Sequence, residues 1–273
     1  MKKKLLFPLF LLTVSVVSAQ QENKIDLLAY GGIPQGQEVK VLFNEAFIVG
    51  YSEEMRNPLW VVYRAGNLKS SAGSSSPTKW ERPFVFQKDR RTEAKVTHED
   101  YIGSGYDRGH MAPNALILAQ YGQMAQMETF VMSNIIAQHE DLNRRIWADL
   151  EAKVREELSQ EDTRNKEVKN LYVITGPVFG DSPDTIGKEG REIPVPEFSY
   201  KIIAFRRGYG KSIKAIAFKF PQHPDTAKGF KDFIVTVDHL EEITGLNFFS
   251  ELSDVKQANL ESVKRDFDFN EIE

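Results

Sequence analysis

GSGYDRGHMAPNA at residues 103–115 and SNIIAQHEDLNRRIWADLE at residues 133–151 are the two stretches on which the reading of this chain turns. In the first, three glycines and a proline flank Asp107, Arg108 and His110. Glycines allow positive φ and let side chains approach a ligand closely. A histidine between a strand and a glycine turn, beside an arginine, suits a general base acting on an anionic substrate. A lone histidine is more often a satisfied structural group, and it is the company of Asp107 and Arg108 that favours chemistry here. In the second stretch the apolar residues Ile146, Trp147, Leu150, Val154 and Leu158 recur at helical spacing, so residues 143–158 read as a helix packed on a core. Asn134, Gln138 and Asn143 group just before that helix or at its start, where an asparagine either caps the helix or offers its amide to a ligand. On an unbroken helix Asn143 and Glu151, eight residues apart, stand about 80° around and roughly 12 Å along the axis, too far to clasp one ion together. The spacing leaves Asn143 to supply an amide oxygen directly and Glu151 to orient bound waters or a neighbouring side chain.

Outward from this pair, residues 41–43, 47–49 and 59–63 are short apolar, β-branched or aromatic runs that read as strands. KSSAGSSSPTK at 69–79 reads as a surface loop, and residues 20–40 as a loosely held approach segment. Strands are expected again at 170–175, 199–205 and 213–220, broken by Gly176-Pro177, Arg207-Gly208 and Pro221. Residues 230–237 suggest a strand or turn leading into a short helix stopped at Gly245. No internal repeat is visible, and residues 20–273 are expected to form one α+β domain with a central, mainly antiparallel sheet.

At 41% hydrophobic and 27% charged, the chain is neither disordered nor fibrous in composition. With no cysteine, thiolate metal sites, disulfides and cysteine nucleophiles are excluded, so any metal rests on oxygen or imidazole. MKKKLLFPLFLLTVSVVSAQ at residues 1–20 sets three lysines before an apolar run closed by Ser18 and Ala19, the pattern of a secretory signal peptide, with cleavage expected after Ala19. The run is shorter than the roughly 20 residues that span a bilayer, which disfavours a membrane anchor. The protein is therefore expected to be exported, periplasmic or extracellular. Losing Lys2, Lys3 and Lys4 takes the formal charge from −4 to −7, a poor starting point for binding nucleic acid. The charge is uneven, however. The last 23 residues, from Glu251, form an acidic tail with seven acids against three bases, whereas residues 56–110 hold ten bases against six acids. A basic face can thus coexist with an acidic whole.

DRGH at 107–110, SN at 133–134, Gln138, LN at 142–143 and WADLE at 147–151 together resemble the DNA/RNA non-specific endonuclease family, the ββα-metal nucleases. The resemblance extends in order over YSEEMRNPLWVVY at 51–63, ERPFVFQKD at 81–89, LYVITGPVF at 171–179 and VTVDHLEEITGLNFF at 235–249. It implies a ββα-metal (His-Me finger) site in which His110 is the general base that deprotonates the attacking water. Asn143 would be the sole protein ligand of a catalytic Mg2+, with Mn2+ or another divalent ion able to take its place, and Glu151 the carboxylate that fixes the ion's waters. Arg82 would steady charge on the phosphorane. Arg108 and Asp107 correspond to positions that support substrate contact, and Asn134 and Gln138 to amides that brace the substrate site. DNA and RNA are the implied substrates, cut without regard to sequence or sugar, to 5′-phosphate and 3′-hydroxyl ends. Ala137 stands where the family commonly has proline, and Arg145 where glycine often follows.

The chemistry is consistent with this division. Phosphodiester hydrolysis builds negative charge on the phosphoryl oxygens and on a poor alkoxide leaving group, which cations must meet. Contacts confined to phosphates carry no base information. Arg144 and Arg145 read equally as phosphate contacts or as a solvated helix face. His139, four residues before Asn143, reads as an exposed loop histidine in preference to a second metal ligand, and His98, His223 and His239 carry no assigned role. Two other readings use the same residues: a non-catalytic nuclease-like binding module, which the retention of both His110 and Asn143 disfavours, and a phosphodiesterase acting on a small or lipid diester.

Overall fold

A strand covered on both sides reads as an unbroken apolar run. The runs in this chain do so because they form the middle of a sheet held between two outer layers. The computed structural model describes residues 18–66, 83–159, 170–206 and 212–265. Among these the elements follow the order α1 (Ala19–Leu28), β1 (Lys40–Phe43), β2 (Phe47–Ser52), β3 (Asn57–Gly66), β4 (Asp107–His110), α2 (Asn114–Tyr121), α3 (Gln123–Glu128), β5 (Ile135–Gln138), α4 (Trp147–Ser159), β6 (Asn170–Val178), β7 (Thr185–Lys188), β8 (Arg191–Pro194), β9 (Phe198–Arg206), β10 (Ile213–Pro221), β11 (Ile234–Val235), α5 (Val237–Thr244) and α6 (Asp254–Glu261). Seven strands pair in the order β1-β2-β3-β6-β9-β10-β11, every pair antiparallel, while β4 with β5 and β7 with β8 form two-stranded ribbons. This is the α+β architecture expected from the sequence.

Strand alternation sorts the side chains between the two faces. Val49, Val61, Tyr63, Val173, Ile203 and Phe218 meet Met111, Ile136, Trp147, Leu150 and Val154 on one side. Ile48, Trp60, Val62, Ile174 and Ile202 meet Ile25 and Leu28 of α1, Val237 and Leu240 of α5, and Leu260 of α6 on the other. Each such large apolar side chain, fully buried, contributes about 1.5–3 kcal/mol. The first face carries the β4–β5 ribbon and α4, and with them the candidate chemistry.

The structure departs from the sequence expectations at four places. Residues 19–28 form a packed helix, capped by Ser18, whose Oγ accepts the Gln21 N–H at 3.3 Å. Only Ile25 and Leu28 of α1 are buried, too short a stripe to stand out in the sequence. Gly176-Pro177 lies within β6 and does not end it. Pairing with β3 stops at Thr175, while Val178 still accepts the Glu197 N–H at 2.9 Å, so the missing N–H of Pro177 faces a side with no ladder to break. The helix expected from Asn143 instead starts with a π-type turn, Leu142–Ile146, kinked at Arg145 (φ −120°, ψ −110°). In an α-helix residues five apart point about 140° away from each other. The wider turn brings Leu142 and Trp147 to the same side, and both are buried. The angle and rise of an unbroken helix therefore do not relate Asn143 to Glu151. Lastly, the acidic tail begins as α6, a helix with Leu260 and Glu261 buried. The loop at 69–79 lies outside the described residues.

Candidate active site

The motif DRGH is the whole of β4, paired with β5 in the register Asp107↔Gln138, Arg108↔Ala137, Gly109↔Ile136 and His110↔Ile135. Its approach turns through Gly103 (φ 73°) and Gly105 (φ 83°), backbone that side chains rarely adopt. Gln138 crosses directly over Gly109, where a Cβ would sit 2.1 Å from the Gln138 Oε1. Gln138 itself is fully buried, and its Nε2 donates to Ser199 Oγ at 3.2 Å. Asn134 is equally buried. Its Oδ1 accepts the Ala112 N–H at 2.9 Å, and its Nδ2 donates to the carbonyls of Ala112 (3.1 Å) and Thr129 (3.0 Å). Both amides act from the interior, bracing the ribbon that carries His110, and neither reaches the surface a substrate would touch.

His110, 8% exposed, closes β4 against an aromatic wall: Phe86 lies 5.3 Å away and Phe130 5.0 Å, edge to face. Arg108 shares that side of the strand. Its guanidinium carbon lies 6.0 Å from the Phe86 ring and 5.7 Å from that of Tyr101, and its Nη2 donates to the His98 carbonyl at 2.7 Å. His98 in turn accepts the Phe86 N–H on Nδ1 at 3.3 Å, and burial and the nearby Arg108 push its pKa down. Arg108 is thus tied into the wall beside His110.

Asp107 occupies the opposite end of β4 and gathers the turn before α4. Asn143 Nδ2 donates to Asp107 Oδ2 at 2.9 Å, and Arg144 grips the same carboxylate with Nε (2.8 Å) and Nη2 (2.7 Å). Burial alone would raise the Asp107 pKa, but the hydrogen bonds from Arg144 and Asn143 outweigh it and hold the carboxyl below its ordinary 3.8. With its N–H2 committed to Asp107, Asn143 is left with its carbonyl oxygen Oδ1, a hard donor of the kind that can hold a divalent cation. His110 is joined to this cluster by β4 itself, three residues or about 10 Å along the strand.

Glu151 sits on α4 over the sheet, 3.5 Å from Lys201 Nζ. Lys201 lies in β9 with no solvent exposure, its ammonium 4.1 Å from the centre of the Trp147 ring. Burial pushes Glu151 up and Lys201 down, and the attraction between them opposes both shifts. Sequence reading missed Lys201; the available signal was a lysine inside the apolar run SYKIIAF. It also missed Asp89, a buried carboxylate that accepts from Ser133 Oγ (2.6 Å) and Arg91 Nη2 (2.7 Å) and so ties residues 83–92 to the segment preceding β5. Arg82 lies outside the described residues. The structure therefore brings Asp107, Asn143 and Arg144 into contact, joins Glu151 to Lys201, and sets His110 and Arg108 into one aromatic wall.

Comparison with known proteins follows the same line. The family model described as DNA/RNA non-specific endonuclease matches residues 26–255. A nuclease of Nostoc sp. is 30% identical over 232 residues, covering 81% of this chain and 77% of that protein. Human mitochondrial endonuclease G is 30% identical over 234 residues, 81% of this chain and 72% of that one. A nuclease of Serratia marcescens is 28% identical over 258 residues, 92% and 91% of the two chains. A chain in the crystal structure of the EndoG/EndoGI complex superposes with a TM-score of 0.69 at 23% identity, covering 90% of this chain and 96% of its own, and so shares the fold.

Proposed function

Because this chain belongs to the DNA/RNA non-specific endonuclease family, whose members are metal-dependent endonucleases, we propose that it is an exported, Mg2+-dependent nuclease that hydrolyses DNA and RNA alike to 5′-phosphate and 3′-hydroxyl ends. The observation that carries the reading is the bond from Asn143 Nδ2 to Asp107 Oδ2, which uses the nitrogen end of the amide on the strand that ends in His110 and leaves its oxygen as the end for a ligand.

A divalent cation held through Asn143 would supply Lewis-acid stabilisation of the negative charge that develops during P–O cleavage. His110, as a neutral imidazole held against Phe86 and Phe130, takes the proton of the attacking water. Glu151, held by Lys201, would accept hydrogen bonds from waters bound to such a cation. Arg82 and Arg108 provide guanidinium donors for phosphate, while Asn134 and Gln138 keep the ribbon from shifting under load. Contacts of this kind address backbone phosphate, so sequence and sugar are not read, and binding weakens as salt rises. The lysines and apolar run of residues 2–17 support export.

Supercoiled plasmid and a long RNA, each incubated with purified protein and Mg2+, should both be degraded, with all turnover lost in EDTA and end-labelling reporting 5′-phosphates. Failure to cut either polymer in any divalent metal would overturn the reading, and preferential turnover of short or lipid diesters would redirect it to a phosphodiesterase.

A further inference from the structure

We propose that His139, Asp141 and His223 form a second metal site, separate from the Asn143 site, for a divalent first-row transition cation of the Zn2+ type. His139 follows β5, Asp141 precedes the π-type turn, and His223 follows β10, so the three are brought together only by the fold. His139 Nδ1 lies 3.2 Å and His223 Nδ1 3.4 Å from the same Asp141 oxygen, Oδ2, and one donor atom from each residue lies within 4.8 Å of the others. The two imidazole centroids are 4.0 Å apart. With metal–ligand bonds of about 2.1 Å, a tetrahedral centre sets its donors roughly 3.4 Å apart, close to the separation of the Asp141 oxygen from each imidazole nitrogen.

The cluster is anchored. Gln222, buried beside His223, accepts the His139 N–H at 2.7 Å and donates to the carbonyls of Ala137 (2.9 Å) and Pro196 (2.7 Å), which locks the two histidine-bearing loops to each other. Arg145 approaches the other Asp141 oxygen, Oδ1, at 3.8 Å and leaves Oδ2 to the imidazoles. His139 Nδ1 accepts the Asp141 N–H at 3.3 Å, a long bond that a metal would replace. The His139 and His223 side chains are 26% and 65% exposed, so an ion can enter and a fourth position can take water. Two imidazoles with one carboxylate select Zn2+ over Mg2+, which prefers oxygen donors. An ion there clamps the turn carrying Asn143 and Arg144 to the end of β10.

Titration calorimetry of the EDTA-stripped chain with ZnCl2, without nucleic acid, tests this. One equivalent should bind, and Co2+ in its place should give visible absorption bands of a four-coordinate centre. His223→Ala should weaken Zn2+ binding about tenfold or more, since losing even an outer partner of a metal ligand costs about 10–100-fold. His139→Ala should do the same, whereas Asn143→Ala should leave the affinity unchanged. The large exposure of His223 means its variant keeps the fold, which its melting curve in EDTA verifies. Absence of Zn2+ binding, or binding that survives both histidine variants and disappears in Asn143→Ala, would overturn the proposal.

Discussion

Asp107 and Asn143, 36 residues apart in sequence, share a hydrogen bond of 2.9 Å that runs from the Asn143 amide nitrogen to the carboxylate. The bond fixes which end of the amide is left for a ligand. In the proposed reaction Asp107 would therefore act through Asn143 as a positioning residue. Asp107→Ala should raise the Mg2+ concentration needed for half-maximal cleavage by about 10–100-fold, the usual cost of removing a partner that orients a metal ligand. Saturating Mg2+ should recover much of the rate. An unchanged Mg2+ dependence would separate Asp107 from the cation.

His110→Ala should lower the cleavage rate by about 10²–10⁴, the range for loss of a positioned general base. Substrate binding in Ca2+ or EDTA, measured by fluorescence anisotropy, should change little, because a general base acts on the attacking water in the transition state and not on the bound phosphate. Full turnover in this variant would remove His110 from the base role.

Lys201 is buried with Glu151 as its counter-charge. Glu151→Gln should therefore cost stability as well as activity, by about 3–5 kcal/mol in urea unfolding, because an ammonium is left buried and unpaired. The double variant Glu151→Gln with Lys201→Met should regain most of that stability and none of the activity. If the double variant were no more stable than Glu151→Gln alone, the ion pair would not be the source of the loss.

Two carboxylates give opposite pH signatures. Arg144 and Asn143 hold Asp107 below its ordinary 3.8 against the effect of burial, so the folded protein binds this proton less readily than the unfolded chain. Its stabilising contribution is full above about pH 4 and is lost as pH falls through the depressed native value. Glu261 is pushed up to about 7, first by burial and then by Glu241 and Asp238. Here the unfolded chain ionises first, so stability falls as pH rises from about 4.5 to 7 and then levels off. Glu261→Gln should raise Tm at pH 8 and leave it nearly unchanged at pH 4. Equal shifts at both values would mean the carboxyl ionises in the folded protein as it does in the unfolded chain.

Much of the layout was legible because local pattern reports burial. The runs ending in Tyr63, Phe205 and Phe220 became central strands, and the stripe from Trp147 through Leu150 to Val154 became the packed face of α4. Legibility failed where burial was sparse or periodicity changed. Ile25 and Leu28 alone did not announce α1, and the helical spacing of Ile146, Trp147 and Leu150 gave no sign of the π-type turn that precedes α4. Lys201 was hidden in plain sight, since an apolar strand pattern gives no reason to expect a charge at its centre until a Glu151 is found above it.

By itself, the sequence determined the identity of the groups capable of chemistry, the main strands of the central sheet and the packed face of α4, and membership of a nuclease family through ordered motifs. Only the tertiary structure decided their partners: Asp107 with Asn143 and Arg144, Glu151 with Lys201, and His139 with His223 beside Asp141. The physical reason is that periodicity along a chain encodes which face of an element is buried, a local property. Which polar groups then meet depends on sheet register and on how loops close, and the burial pattern of any one element leaves both open.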